Sequence, residues 1–307
     1  MNKIYITGVT GFVGLNLVNY LKKNNKEVVG VSRTKNDLTQ TIDYLDFYRY
    51  DKKGDVAVIH LAGKAHDLRN AIDAESYFKI NYELTKKVYD AFLNSKIDVF
   101  IYMSSVKAVK DVVEGVLTEN EIPTPVTAYG QSKLKAEQYI LSNLPEYKRV
   151  YILRPCMIHG PGNKGNLNLL YKLVSKGIPW PLGDFNNKRS FLSIENLCFV
   201  IKELLDRNDI PSGVYQVADD LPLSTNAVIE LLGDSLGKQS RIWNLPRQWV
   251  NIMARLGNHL KLPLNTERLQ KLTENYVVSN VKIIKAMQKK LPISSKEGLD
   301  ITFKSFR

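Results

Sequence analysis

The chain has 307 residues, 44% of them hydrophobic, enough for a sizeable core in one large domain or a domain with an annex. Two cysteines, Cys156 and Cys198, exclude a disulfide framework and lack metal-ligand spacing, so no metal site is expected and a reducing cytoplasm is. A formal net charge of +12 suits nucleotides, nucleic acid or an anionic membrane surface without choosing among them, and no nucleic-acid-binding module stands out.

At the N-terminus "MNK" runs directly into the apolar "IYIT", so neither a signal peptide nor a membrane span is expected. Short, almost wholly apolar runs predict strands at 3–7, 27–32, 56–61, 98–103, 149–154 and 213–218. Amphipathic periodicity predicts helices at 12–23, 74–94, 128–142, 165–176, 194–207, 225–236 and 246–258. Such strands alternating with longer helices imply an α/β fold, a doubly wound parallel sheet covered on both faces. The alternation is regular to about residue 155; turn-rich segments such as "HGPGNKGN" and "GIPWPLGDFNNKR" then break it. The expected division is a main domain over 1–160 and a smaller, intertwined substrate lobe over 161–307, with 189–218 returning to the main sheet.

"ITGVTGFVG" follows the first strand and opens the first helix, with Gly8, Gly11 and Gly14 three residues apart around Phe12 and Val13. Glycines there permit a tight turn, let backbone N–H groups approach a pyrophosphate and aim a helix N-terminus at its charge, which is the Rossmann-type dinucleotide signature. At the end of the second strand an acidic residue would favour NAD, but Ser32 and Arg33 stand there. A hydroxyl followed by a guanidinium suits the extra phosphate of NADP(H), the favoured reading; an ordinary exposed arginine, with NAD(H) as cofactor, is the alternative.

In "AYGQSKLKAE", residues 128–137, Tyr129 and Lys133 project from one helix face. Alone, the pair reads either as a solvated surface or as a phenol whose pKa an ammonium lowers towards working pH.

Together "TGVTGFVG", "HLAGKAH", "YFKINYELT", "IYMSSVK", "YGQSK" and "LRPCMIHGPG" resemble, in order and spacing, the extended short-chain dehydrogenase/reductases. The likeness covers essentially the whole chain and is to the nucleotide-sugar branch, with its UDP-galactose 4-epimerases and 4-keto-sugar reductases. It implies Tyr129 as catalytic acid/base, Lys133 as its partner and a ligand of the nicotinamide ribose, and Ser105 as the hydroxyl orienting the reacting oxygen. It implies that Asn81 holds the central strands and active site in register. Leu61, Ala62 and Gly63 would lie along the cofactor, and Pro155 and Ile158 would flank the nicotinamide. Dehydratases of the superfamily carry Asp-Glu after the hydroxyl residue; here Val106 and Lys107 follow Ser105, so dehydration is disfavoured. Lys107 becomes a sugar-side contact or a solvated loop lysine. Arg189, in "NKRSFLSIEN", is the candidate pyrophosphate ligand, with Asn166 and Arg268 as further substrate contacts. His159 stands where the family has tyrosine and reads as structural; His60 reads as packing, and His66 as a substrate neighbour.

The resemblance implies an NAD(P)-dependent enzyme moving a hydride at the 4-position of a UDP-hexose or UDP-N-acetylhexosamine. It leans to a UDP-4-keto-6-deoxy-sugar 4-reductase in surface polysaccharide precursor synthesis, because a net reductase draws on exchangeable NADPH. A 4-epimerase is the alternative, and a non-catalytic dinucleotide-sensing regulator the alternative of another class. Family relatives often pair through helices like 74–94 and 128–142, so the resemblance implies a homodimer. Finally, 244–263 reads as an amphipathic helix with Leu245, Trp249, Ile252, Met253, Leu256 and Leu260 in one apolar stripe. The stripe either packs on the second lobe or rests in part on the inner membrane face.

Overall fold

The computed structural model describes residues 3–34, 37–49, 56–64, 74–163, 165–260 and 265–307. His66 and the last residues of the 244–263 segment lie outside these ranges. The strands, in chain order, are β1 (Lys3–Thr7), β2 (Glu27–Val31), β3 (Gln40–Ile42), β4 (Ala57–His60), β5 (Val99–Met103), β6 (Val116–Leu117), β7 (Arg149–Pro155), β8 (Met157–His159), β9 (Phe191–Ser193), β10 (Gly213–Val217) and β11 (Val277–Val278). Seven of them form one parallel sheet in the order β10-β7-β5-β4-β1-β2-β3.

Strand alternation sends Ile4 and Ile6 of β1 to one face and Tyr5 to the other. On the first face Leu17, Val18 and Leu21 of helix Phe12–Lys23 share a core with Leu197, Val200, Ile201 and Leu204 of helix Ile194–Asp206. On the second, Val88, Tyr89 and Phe92 pack with Phe100 and with Ala136 and Ile140 of helix Ala128–Leu141. Strands covered on both sides cannot show a polar face, which is why their sequences are continuous apolar runs. The sheet is doubly wound, and its order reverses at β1, between β2 and β4, where such sheets open a crevice at the strands' C-terminal ends.

A third core lies outside the sheet. It joins Leu167 and Leu170, Val228 and Leu232, Val250, and Leu299 and Phe303. Two short parallel pairs, β8 with β9 and β6 with β11, tie distant parts of the chain together.

Several elements are absent from the sequence expectation. β3 is a three-residue edge strand whose polar "QTI" gives no apolar run. Helices Tyr44–Arg49, Thr266–Thr273, Val281–Met287 and Ser295–Lys304 are short, and the last is set by a Ser294/Glu297 capping box. The expected helix 74–94 runs over 74–93 but widens to i→i+5 bonding at Lys79–Glu83. The expected packing of the 245–260 stripe fails at its centre. Small residues let helix Arg247–Leu260 approach the third core through Val250, Ala254 and Gly257, leaving Trp249, Ile252, Met253 and Leu256 exposed.

Candidate active site

The glycine turn is built by close approach. Gly8 has φ +73°, and a Cβ there would lie 2.7 Å from the Ala62 nitrogen. A Cβ on Gly14 would meet the Gly8 carbonyl oxygen at 2.3 Å, and that oxygen also accepts from Gly11 N–H at 3.1 Å. A side chain at 8 would therefore push the turn off the segment after β4, and one at 14 would push the helix off the turn. Gly11 is the N-cap of helix Phe12–Lys23 and offers no side-chain acceptor, so the first N–H groups are directed at whatever anion lies beyond them. Such a turn fits a dinucleotide pyrophosphate. Phe12, Val13 and Leu61 are half-buried against the first core. Ala62 N–H donates to the Thr7 hydroxyl at 3.1 Å, fixing the β4 exit against β1. At the end of β2, the Ser32 hydroxyl accepts from Thr34 N–H at 3.3 Å and Arg33 is exposed. No acid occupies 28–34.

Asn81 lies inside the widened turn of its helix, where the extra residue turns its amide inward. It accepts from Lys64 N–H at 2.8 Å and donates to the Lys64 carbonyl at 3.1 Å and the Ser132 hydroxyl at 3.0 Å. Ser132 donates in turn to the Tyr129 carbonyl at 2.8 Å. One asparagine thus pins the segment after β4 to the helix carrying Tyr129 and Lys133. Gly63 belongs to the same knot: a Cβ on it would stand 3.0 Å from Asn81 Oδ1 and 3.1 Å from Lys133 Nζ.

Tyr129 is half-buried, packed edge-on against Tyr77 with ring centroids 6.1 Å apart. Burial raises its pKa, and a hydrogen bond with Ser105 opposes the rise. This differs from the expectation that Lys133 would depress it. Lys133 is itself buried, its Nζ donating to the Met103 carbonyl at 2.8 Å and lying 5.0 Å from the Tyr102 ring centroid. Burial lowers its pKa to about 8, and the Glu137 carboxylate pulls the other way. The protein's own groups therefore keep the phenol protonated, poised to donate. Ser105, the N-cap of the short turn Val106–Ala108, reaches Tyr129 because Gly130 lets the two segments touch: a Cβ at 130 would lie 2.3 Å from the Lys107 carbonyl oxygen.

Lys107 and Arg189, remote in sequence, meet in one charged cluster. Lys107 Nζ donates to the Asp111 carbonyl at 2.7 Å and sits 4.2 Å from the Tyr276 ring centroid. Burial lowers its pKa, with Glu274 and Asp111 opposing and Arg189 and Lys271 assisting. Arg189 donates to the Lys271 carbonyl and lies 3.7 Å from Glu274, and burial lowers its pKa too. Two cations held partly desolvated together suit a polyanionic group. Asn166 and Arg268 are exposed near the starts of helices Asn166–Ser175 and Thr266–Thr273. Pro155 is the last residue of β7, and Ile158 pairs with Leu192 between β8 and β9.

Sequence reasoning passed over Glu137 and Arg154. Arg154 Nε lies 3.0 and 3.2 Å from the two Glu137 oxygens and Nη2 2.6 Å from one, with both side chains buried. The Ser104 hydroxyl also donates to Glu137. The signal was present as an i, i+4, i+8 face, Tyr129-Lys133-Glu137, but its partner on β7 is a tertiary fact. His60 is buried between the Thr7 and Thr85 hydroxyls, at 2.7 and 3.0 Å. His159 is buried against Thr302 at 2.8 Å. No cluster of metal-ligating side chains occurs among the described residues.

The pattern of the NAD dependent epimerase/dehydratase family matches residues 4–218. The chain is 32% identical over 264 residues to the UDP-glucose 4-epimerase of Vibrio cholerae, covering 79% of this chain and 78% of that one. It is 26% identical over 296 residues to the N-acetyl-α-D-glucosaminyl-diphospho-ditrans,octacis-undecaprenol 4-epimerase of Escherichia coli O157:H7, covering 92% and 85%. The fold superimposes on UDP-glucuronic acid 4-epimerase from Bacillus cereus, solved in complex with NAD, with a TM-score of 0.76 at 21% identity, over 99% of this chain and 98% of that one. At that identity the likeness is one of fold.

Proposed function

The chain belongs to the NAD-dependent epimerase/dehydratase family, and we propose that it moves a hydride at carbon 4 of a UDP-linked hexose or N-acetylhexosamine, working as a 4-reductase on a UDP-4-keto-6-deoxy sugar. In this reading 1–160, with 189–218, holds a nicotinamide dinucleotide and 161–307 the sugar nucleotide. The observation that carries the chemistry is the placement of Tyr129 one turn from the buried Lys133, with Ser105 brought against their helix where Gly130 meets Lys107.

When bound, the nicotinamide supplies the hydride. The chain supplies the proton: a phenol kept neutral by burial donates it to the sugar oxygen as negative charge develops there. Ser105 steers that oxygen, and Lys133 holds the ribose and stabilises the phenolate that remains. Gly8, Gly11 and Gly14 with Phe12 and Val13 take the pyrophosphate; Leu61, Ala62, Gly63, Asn81, Pro155 and Ile158 line the rest of the cofactor. Lys107 and Arg189, with Asn166 and Arg268, bind the substrate's sugar and diphosphate. Two copies pairing through helices 74–93 and 128–141 complete the reading.

The reductase choice rests on Ser32 and Arg33, which suit NADP(H) and hence exchange with the reduced pool. The 32% identity to a UDP-glucose 4-epimerase favours 4-epimerisation as the second reading. One experiment separates them. Loss of reduced-nicotinamide absorbance in stoichiometry with a UDP-4-keto-sugar marks the reductase; interconversion of UDP-N-acetylglucosamine with no net cofactor change marks the epimerase. Because one relative is named for an undecaprenyl-diphosphate sugar, that carrier belongs in the panel. Arg33→Asp should weaken NADPH far more than NADH; equal losses would remove the support for the reductase.

A further inference from the structure

Helix Arg247–Leu260 divides its circumference into three faces. Val250, Ala254 and Gly257 are buried against the third core. Gln248, Asn251, Arg255 and Asn258 form an exposed polar flank. Between them Trp249, Ile252, Met253 and Leu256, at helical offsets of 0, 3, 4 and 7, are 65%, 50%, 49% and 53% exposed. Single exposed apolar residues need no explanation, but four large ones on one helix face form a patch of the kind that marks an interaction surface.

The charge carried by the segment itself has one sign. Over 241–260 the charged residues are Arg241, Arg247 and Arg255, with no aspartate or glutamate. All three arginines are exposed, and Arg247 alone of them meets a carboxylate in a described ion pair, Asp184 at 3.4 Å. Trp243, two residues beyond Arg241, is 54% exposed. A second copy of this chain fits such a face poorly, because an isologous contact would set arginine-flanked helices of a +12 protein against each other. An anionic bilayer fits it well: apolar side chains enter the headgroup boundary, tryptophan sits at its level, and arginines meet phosphates. No described helix is long and apolar enough to cross a membrane, so the geometry is that of a helix lying on the surface.

We propose that the exposed face of helix Arg247–Leu260 docks the protein on an anionic lipid bilayer. The helix is bonded to the next one through Asn258 and Thr266, at 3.0 and 3.1 Å. That next helix carries Lys271, whose carbonyl receives Arg189. Docking therefore places the bilayer one helix away from the Lys107–Arg189 cluster.

The test is co-sedimentation of the full chain with phosphatidylglycerol/phosphatidylcholine vesicles and with phosphatidylcholine vesicles, at low and physiological salt. The expected result is binding to the mixed vesicles, weakened by salt, and little to the neutral ones. Trp249→Ser with Arg255→Glu should reduce binding by on the order of tenfold or more while leaving thermal unfolding and cofactor affinity unchanged. Single Arg255→Glu should lower the salt dependence in part, because Arg241 and Arg247 remain. No binding to the mixed vesicles at low salt overturns the proposal. So does binding that the double variant leaves intact, which assigns it to another face. A dimer seen by light scattering that the double variant converts to monomer, without vesicle binding by the parent, assigns the patch to a second copy instead.

Discussion

Glu137→Gln tests the layer beneath the proposed catalytic pair, Tyr129 and Lys133. Glu137 lies one helical turn beyond Lys133, buried, and takes three contacts from Arg154 at 2.6 to 3.2 Å. The substitution keeps the shape and removes the charge, leaving the Arg154 guanidinium buried without a counter-ion. Breaking a buried pair from one side costs about 3–5 kcal/mol, and because glutamine still accepts a hydrogen bond we expect about 3 kcal/mol. That is a large part of a typical total of about 5–15 kcal/mol. The second consequence is electrostatic. Burial holds the Lys133 pKa at about 8 only because the Glu137 carboxylate opposes the fall. Without that carboxylate Lys133 loses its proton at lower pH, and the basic limb of kcat/KM moves towards acid. Urea unfolding and a pH–rate profile read the two effects separately. Adding Arg154→Met should restore most of the stability but not the position of the basic limb. A stability loss below about 1 kcal/mol together with an unmoved basic limb would refute the argument.

Tyr129→Phe should retain cofactor and UDP-sugar affinity while turnover falls by at least ~100-fold; turnover within a few-fold of wild type removes the phenol from the mechanism. Gly63→Ala places a methyl group 3.0 Å from Asn81 Oδ1 and 3.1 Å from Lys133 Nζ. The lysine must shift, and kcat should drop by on the order of tenfold in a protein that still unfolds cooperatively; an unchanged kcat would show that its position is not critical. His60, lowered by burial from 6.5 to about 3, stays neutral in the fold while the unfolded chain takes up its proton. Its contribution to stability is complete above pH 6.5 and is lost as pH falls towards 3, so His60→Asn should flatten that part of the stability profile. Equal acid sensitivity in the variant assigns the loss to other groups.

The parallel sheet and its glycine turn were legible because their signals are local. Strand alternation, three glycines at a strand-to-helix turn, and a tyrosine and lysine one turn apart depend on residues within a few positions of each other, and backbone geometry translates them directly. Resemblance of ordered motifs then added Ser105 and Asn81, whose roles no local spacing implies. The edge strand β3 and the short C-terminal helices were not legible, since three to ten residues carry too little periodicity to separate them from loop.

The amino-acid sequence by itself determined the parallel sheet, the place of the glycine turn and the helix face that carries Tyr129, Lys133 and Glu137. Tertiary structure alone decided which groups face them. Arg154 reaches Glu137 from a neighbouring strand, Arg189 reaches the Lys107 cluster across 82 residues of chain, and Met103 takes the Lys133 proton donor. It also decided the fate of the 245–260 stripe. Periodicity identifies the apolar side of a helix, but which side turns inward depends on how closely the backbone can approach its neighbour. Here Val250, Ala254 and Gly257 permit the closer approach, so the smaller side chains fill the contact and Trp249, Ile252, Met253 and Leu256 are left facing outward.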